Sequence, residues 1–184
     1  VSNIIQNCGA CHFIGAGSTN RICTNQNNCN SNFIGGGYNN CLQTSTRESV
    51  IVGGCQNHMI YAQNSFMGGG YSNYQCYSCC SVQVGGYNTC VIGSNCVVLV
   101  GGASTCIKCS PGSTIVGGVS NKIYASASSK TCNAIVGGNN NCINNSCNSF
   151  IGGGGSNCIN SRAFASVIGC SLSATADKTV YMNN

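Results

Sequence analysis

The sequence is nearly devoid of acid. Glu48 and Asp177 are its only carboxylates in 184 residues, and it has one proline and no tryptophan. General acid–base chemistry needs carboxylates or histidines gathered in a pocket, and His12 and His58 are the only histidines. No catalytic residue is assigned on this basis, and the chain reads as a non-enzyme. Seven basic residues set a formal net charge of +5, but they form no run, so the electrostatic footprint of a nucleic-acid binder is missing. No apolar stretch approaches the roughly 18 residues of a membrane span. No signal-peptide pattern is visible, and a start at Val1 is compatible with a removed leader or a longer precursor. Ala, Leu, Glu and Lys are sparse, which disfavours helix.

What is abundant is glycine (26), cysteine (18) and a repeated phrase. SNFIGGGYNNCL at 31–42 returns as NSFIGGGGSNCI at 148–159. Its glycine pair recurs as Gly36-Gly37, Gly53-Gly54, Gly69-Gly70, Gly85-Gly86, Gly101-Gly102, Gly117-Gly118, Gly137-Gly138 and Gly153-Gly154. Ala16-Gly17 and Gly169-Cys170 are degenerate copies at the two ends. The step is 16 residues, with one step of 17 and two of 20. A fixed period decides architecture before any local signal does.

The other columns align on the same anchor. Two residues earlier stand Ile14, Ile34, Ile51, Met67, Leu99, Ile115, Ile135, Ile151 and Val167, broken only by Gln83. One place before these come mostly Phe or Val, as in Phe13, Phe33, Val50, Phe66 and Phe150. Four after the anchor stand Asn20, Asn40, Asn57, Asn73, Asn121, Asn141 and Asn157, with Thr89 and Thr105 between. Six after the anchor the column is apolar again, except Gln75.

Sixteen residues are too few for a helix pair or a propeller blade and suit one rung of a β-solenoid, a β-roll or β-helix. β-Branched residues run into the glycine pair in SVIVGG (49–54) and TIVGGV (114–119), and paired glycines permit positive φ at a sharp corner. The expected fold is all-β: about ten rungs over 1–172, with 173–184 as a C-terminal strand or junction segment. Rungs about 4.8 Å apart make a rod roughly 48 Å long. The Ile, Phe and Val columns become apolar ladders, the asparagines an amide ladder bonding from rung to rung. The 20-residue steps predict bulged loops, NQNNCNSN and SASSKTCN, and no lost rung. On this ladder Glu48 and Asp177 fall about eight rungs apart. Tyr38, Tyr71 and Tyr87 share a column with Cys55, a partly exposed aromatic stripe for packing or for carbohydrate.

The cysteines suggest a disulfide framework in an oxidising compartment. Cys90/Cys106, Cys142/Cys158 and Cys80/Cys96 each stand one period apart, within the Cα span of a bridge. Reduced thiols packed as small hydrophobes are the alternative. Cys8/Cys11, Cys76/Cys79 and Cys106/Cys109 have the C-x-x-C form, but no second pair follows at zinc-knuckle spacing. No metal or cofactor is expected.

The S-x-Φ-I/V-x-G-G-x-x-N-x-Φ phrase, covering about residues 1–170, resembles the head repeats of trimeric adhesins and of trimeric phage and viral tail fibres. The closest likeness is to IGGG-N repeats that often precede an endosialidase-type intramolecular chaperone. The tail SATADKTVYMNN (173–184) is similar to the strand leading out of such repeats. The resemblance implies an intertwined homotrimer, used as a stalk or adhesive shaft on a cell or virion surface. It also implies a host-surface glycan or receptor as partner. Two departures stand: cysteine replaces the usual Ala or Ser, and the sequence contains no chaperone segment. A further expectation is head-to-tail stacking into a filament through the strand edges at the two ends. Other readings are a flat-face binder of carbohydrate or ice, a Cys-rich protective covering, and metal storage. A regular Thr-x-Thr face, short Gly-Tyr repeats and clustered cysteines, which these would need in turn, do not appear. The sequon Asn144-Asn145-Ser146 is solitary.

Overall fold

The computed structural model of the chain describes residues 2–6, 11–24, 31–126 and 131–183. Twenty-two strands of two or three residues alternate between two parallel sheets of eleven strands each. The first sheet begins with Ile4–Gln6 and Arg21–Cys23 and ends with Cys158–Asn160 and Ser173–Ala174. The second runs from Phe13–Ile14 and Phe33–Ile34 to Ser166–Ile168 and Val180–Met182. Each strand pairs with the one directly above and below it, one rung away. This is a β-solenoid of about ten turns.

Two short bridged segments complete each rung and give it four sides. One carries Ser18, Tyr38, Cys55, Tyr71 and Tyr87 in succession, the other Arg47, Gln63 and Cys79. The corners between sides are left-handed. Residues such as Gln56, Tyr61, Asn64, Tyr77, Cys80 and Phe164 sit at φ of 50–58°, a region uncommon for side chains with a Cβ. Closure of the ladder holds them there.

Side chains alternate faces along a strand, so one residue per short strand points inward. Ile34, Ile51, Met67, Leu99, Ile115, Ile135 and Ile151 of the second sheet are completely buried, as are Ile22, Leu42, Met59, Val91, Ile107, Ile123, Ile143 and Ile159 facing them. Each contributes about 1.5–3 kcal/mol by burial. The core therefore lies inside a single chain, and a rung closes its own apolar ladder without a neighbour's help.

The same alternation corrects one expectation. The Phe and Val column does not join a buried ladder; Phe13, Phe33, Phe66 and Val98 are exposed. They stand next in sequence to the buried Ile and must face the other way.

The core is not continuous. One apolar cluster runs from Ile22 to Met67 and a second from Val91 to Ala174. Between them lie Gln75 and Gln83, both fully buried. They are the two residues that break the apolar columns in the sequence.

Irregular steps are absorbed at corners. The 17-residue step is taken up at Thr44 and Ser45, both at positive φ, after which Arg47 pairs Gln63 at the regular spacing. The 20-residue steps lose no rung, since Arg21 still pairs Cys41 and Thr114 still pairs Ala134. The expected bulged loops at 25–32 and 126–133 fall largely outside the described residues. Segment 173–184 is not a separate unit in the described residues. Ser173–Ala174 pairs with Cys158–Asn160, and Val180–Met182 with Ser166–Ile168, forming a last, shorter rung.

Candidate functional surfaces

The asparagine column is buried, and its bonds differ in kind from an amide-to-amide ladder. Each Oδ1 accepts the backbone N–H of the next rung: Asn40 N to Asn20 at 3.0 Å, Asn57 N to Asn40 at 3.1 Å, Asn73 N to Asn57 at 3.1 Å, Asn141 N to Asn121 and Asn157 N to Asn141 at 3.0 Å. Each Nδ2 donates to glycine carbonyls, as Asn40 does to Gly36 and Gly54, both at 2.9 Å. Within the Asn20–Asn157 column, amide-to-amide bonding is confined to Asn40 Nδ2 to Asn20 Oδ1 at 3.1 Å. The corner backbone turns N–H and C=O groups inward where water cannot reach them, and the side chain satisfies them. These asparagines are structural groups with no free valence for a ligand.

The glycine pairs form the corner that this column seals. At Gly102 φ is +88°, and a Cβ would come within 2.7 Å of the Gly118 carbonyl in the next rung. Backbone stacks directly on backbone there, which no larger residue permits. The first glycine of each pair varies more: Gly69, Gly85, Gly101, Gly117, Gly137 and Gly153 have positive φ, and Gly36 and Gly53 do not.

One outward column of the first sheet carries Cys41, Cys90, Cys106, Cys142 and Cys158. Cys90 and Cys106 are bridged, with Cα atoms 4.7 Å apart. Cys142 and Cys158 hold the same register one rung apart but are thiols, as are Cys80 and Cys96. Among the described residues there is one bridge and fourteen free thiols. Cys80 and Cys96 sit at left-handed corners, not on strands. Burial pushes the Cys142 thiol up from its ordinary value, with neighbouring Cys158 adding to it.

On the same face Arg21, Asn39, Cys41, Gln43, Gln56, His58 and Ser72 line a groove of about 410 Å³. Cys41 and His58 are in-register partners, the residue types of a thiol nucleophile and its base. Burial, and then the neighbouring Cys23, push the Cys41 thiol up to about 11. Burial lowers the His58 imidazole, which bonds Gln43 Oε1 at 3.0 Å. Both groups are held neutral, the reverse of an activated thiolate–imidazolium pair. Among the described residues no three His, Cys, Asp or Glu gather to hold a metal. The C-x-x-C members diverge: Cys106 is tied to Cys90, while Cys76 lies on a strand and Cys79 on the next side.

No protein-family model matches this sequence, and no curated protein does.

The tyrosine stripe is exposed, as its column implies. Tyr71 and Tyr87 stack at 5.4 Å with rings 8° from parallel, and Tyr61 and Tyr77 stack likewise at another corner. Stacking along the rod turns one ring face of Tyr71 onto Tyr87 and one of Tyr61 onto Tyr77. Sugar platforms use open ring faces, so the packing role fits this geometry better.

The outward face of the second sheet went unrecognised in the sequence. Its two columns are Phe13, Phe33, Val50, Phe66, Val82, Val98, Thr114, Ala134, Phe150, Ser166 and Val180, and, two residues on, Gly15, Gly35, Val52, Gly68, Val84, Val100, Val116, Val136, Gly152, Ile168 and Met182. The signal was present: wherever the first column holds Phe, the second holds Gly.

Proposed function

We propose that this chain is a structural shaft, a stiff rod that works by its length and by assembling with copies of itself. The observation that supports this best is the unbroken in-register ladder through both sheets. It spends nearly all inward polar groups of the described residues on the backbone and leaves the Cys41–His58 pair unactivated. A surface or virion fibre with adhesive use, as the repeat's resemblance implies, is the form of this reading we favour, and a homotrimer is one assembly it would take. The strand edges at Ile4–Gln6 and Val180–Met182 are each paired on one side in this chain. Such an edge is a template for a further parallel strand, from the same chain or another. Electron microscopy tests the reading. Straight rods in multiples of about 48 Å are expected, shortened to single units when residues 179–184 are deleted. Particles that never exceed one unit at any concentration would end the shaft reading.

A further inference from the structure

The second sheet's outward face is continuous, flat and without charge. Thr114 and Ser166 are the only polar side chains in its two columns. The charged side chains of the described residues lie elsewhere: Arg21, Lys108 and Lys122 on strands of the first sheet, and Arg47, Glu48, Arg162, Asp177 and Lys178 between the strands of the two sheets. Phe13 is 54% exposed, Val52 47%, Val116 42% and Val136 46%.

The Phe–Gly pairing explains the flatness. A Cβ on Gly15, Gly35, Gly68 or Gly152 would meet the ring of Phe13, Phe33, Phe66 or Phe150 at 3.1–3.2 Å. Each phenyl ring therefore lies down over the glycine two residues on, and elsewhere two mid-sized aliphatic residues fill the same width. The rings of Phe13 and Phe33 then stack at 5.4 Å along the rod. A solvent-facing strand has no need of a Phe matched to a Gly; a surface that must meet another flat surface does.

We propose that this face is the docking surface for a second copy of this chain, the two rods packing face to face. The proposal rests on the self-assembling shaft reading and names its lateral joint. Ten steps of about 4.8 Å along the rod and about 10 Å across each strand make a footprint of about 500 Å² per copy. Two copies would bury about 1,000 Å², the lower bound for a specific association. A contiguous apolar patch of this size stands toward the upper end of the largest patch a monomer exposes, and such patches are often functional. The corner beside this patch carries Glu48, Asn64, Asn148 and Lys178 toward the two ends, with Cys80, Cys96, Gly112, Cys132 and Phe164 in the same column. A second copy is the occupant that fits. It offers no charge to desolvate, the same length, and side-chain rows at the same spacing, so rows of one face settle between rows of the other as in stacked sheets. A single self-complementary face favours a twofold pair, since a ring of three needs two different patches on each chain.

The test is sedimentation equilibrium on the full chain under non-reducing conditions, from about 1 to 200 µM. The smallest associated species expected is twice 18.8 kDa, with even multiples of the chain mass wherever paired rods also join end to end. Val84→Lys with Val116→Lys places two cations in the face and should weaken association at least about 100-fold. Asn144→Lys with Asn160→Lys, on the opposite sheet, should leave it unchanged. Should the lysine variant fail to fold by circular dichroism, the triple Val100→Thr, Val116→Thr, Val136→Thr retains side-chain shape and should still weaken pairing about tenfold. A wild-type monomer at 200 µM, or association of any order that the face variants leave intact, would overturn the proposal. Long rods one chain wide would overturn the pairing while leaving the shaft reading in place.

Discussion

Replacing Gln75 by Leu should stabilise this protein, although it removes a polar residue from a repeat rich in them. Gln75 is fully buried between the two apolar clusters, and neither its Nε2 nor its Oε1 has a hydrogen-bond partner. In the unfolded chain both atoms are hydrated. Folding strips them at a cost of about 1–3 kcal/mol each. Leu has similar volume and fits the column that Met59 and Val91 occupy above and below. The gain is about 2–4 kcal/mol, allowing for imperfect repacking. For a domain of this size that raises the melting temperature by about 5–15 °C. Gln83 supplies the control. Its Oε1 is also unpartnered, but its Nε2 donates to Thr89 O at 3.0 Å and Thr89 Oγ1 at 2.8 Å. Gln83→Leu gives up these bonds and should be close to neutral. Urea melts of both variants and the parent, with the Cys90–Cys106 bridge intact, decide the matter. A Gln75→Leu protein no more stable than the parent, or a larger gain at Gln83, would show that the reasoning about unpaired amides is wrong.

The titration directions give two more expectations. Burial holds His58 below its ordinary 6.5, so between its folded value and about 6.5 the unfolded chain binds more protons and stability falls as pH drops through that window. The parent should lose more stability than His58→Gln between pH 7.5 and pH 5, with His12 contributing equally to both; equal losses would refute the assignment. With its thiol raised to about 11, Cys41 is about one part in a thousand ionised at pH 8. Iodoacetamide should label exposed Cys96 and Cys170 well before Cys41, and peptide mass mapping that found Cys41 among the first would contradict its burial.

The fold was legible because its information is periodic. The inward Ile and Asn columns, the glycine corners and the outward cysteine column all follow from a 16-residue register and strict alternation in three-residue strands. Other features were harder to read because they depend on what a column touches. The Phe column looked like core by composition, and only its odd-numbered offset from Ile34 and Ile51 places it outside. The asparagine column by itself suggests side chains bonding one another, yet in a rung with four corners the nearer partners are inward-turned backbone groups such as Gly36 O and Gly54 O. Register alone made Cys142–Cys158 equivalent to Cys90–Cys106, while the redox state of each pair is a local matter that register does not determine. The two glutamines were visible as breaks in the columns, but that they sit in adjoining strands and divide the core appears only once the ladder is closed.

The way irregular steps are absorbed bears on inheritance. Strands pair in register across steps of 16, 17 and 20 residues, so each rung is indifferent to how its neighbours' corners are built. A duplication or deletion of one repeat in the coding sequence, 48 nucleotides for the commonest step, would add or remove one ladder spacing and leave every inward column intact. Unequal recombination between near-identical repeats makes such changes readily. Length in this protein is therefore a heritable quantity that varies in units of about 4.8 Å, open to selection independently of stability and surface.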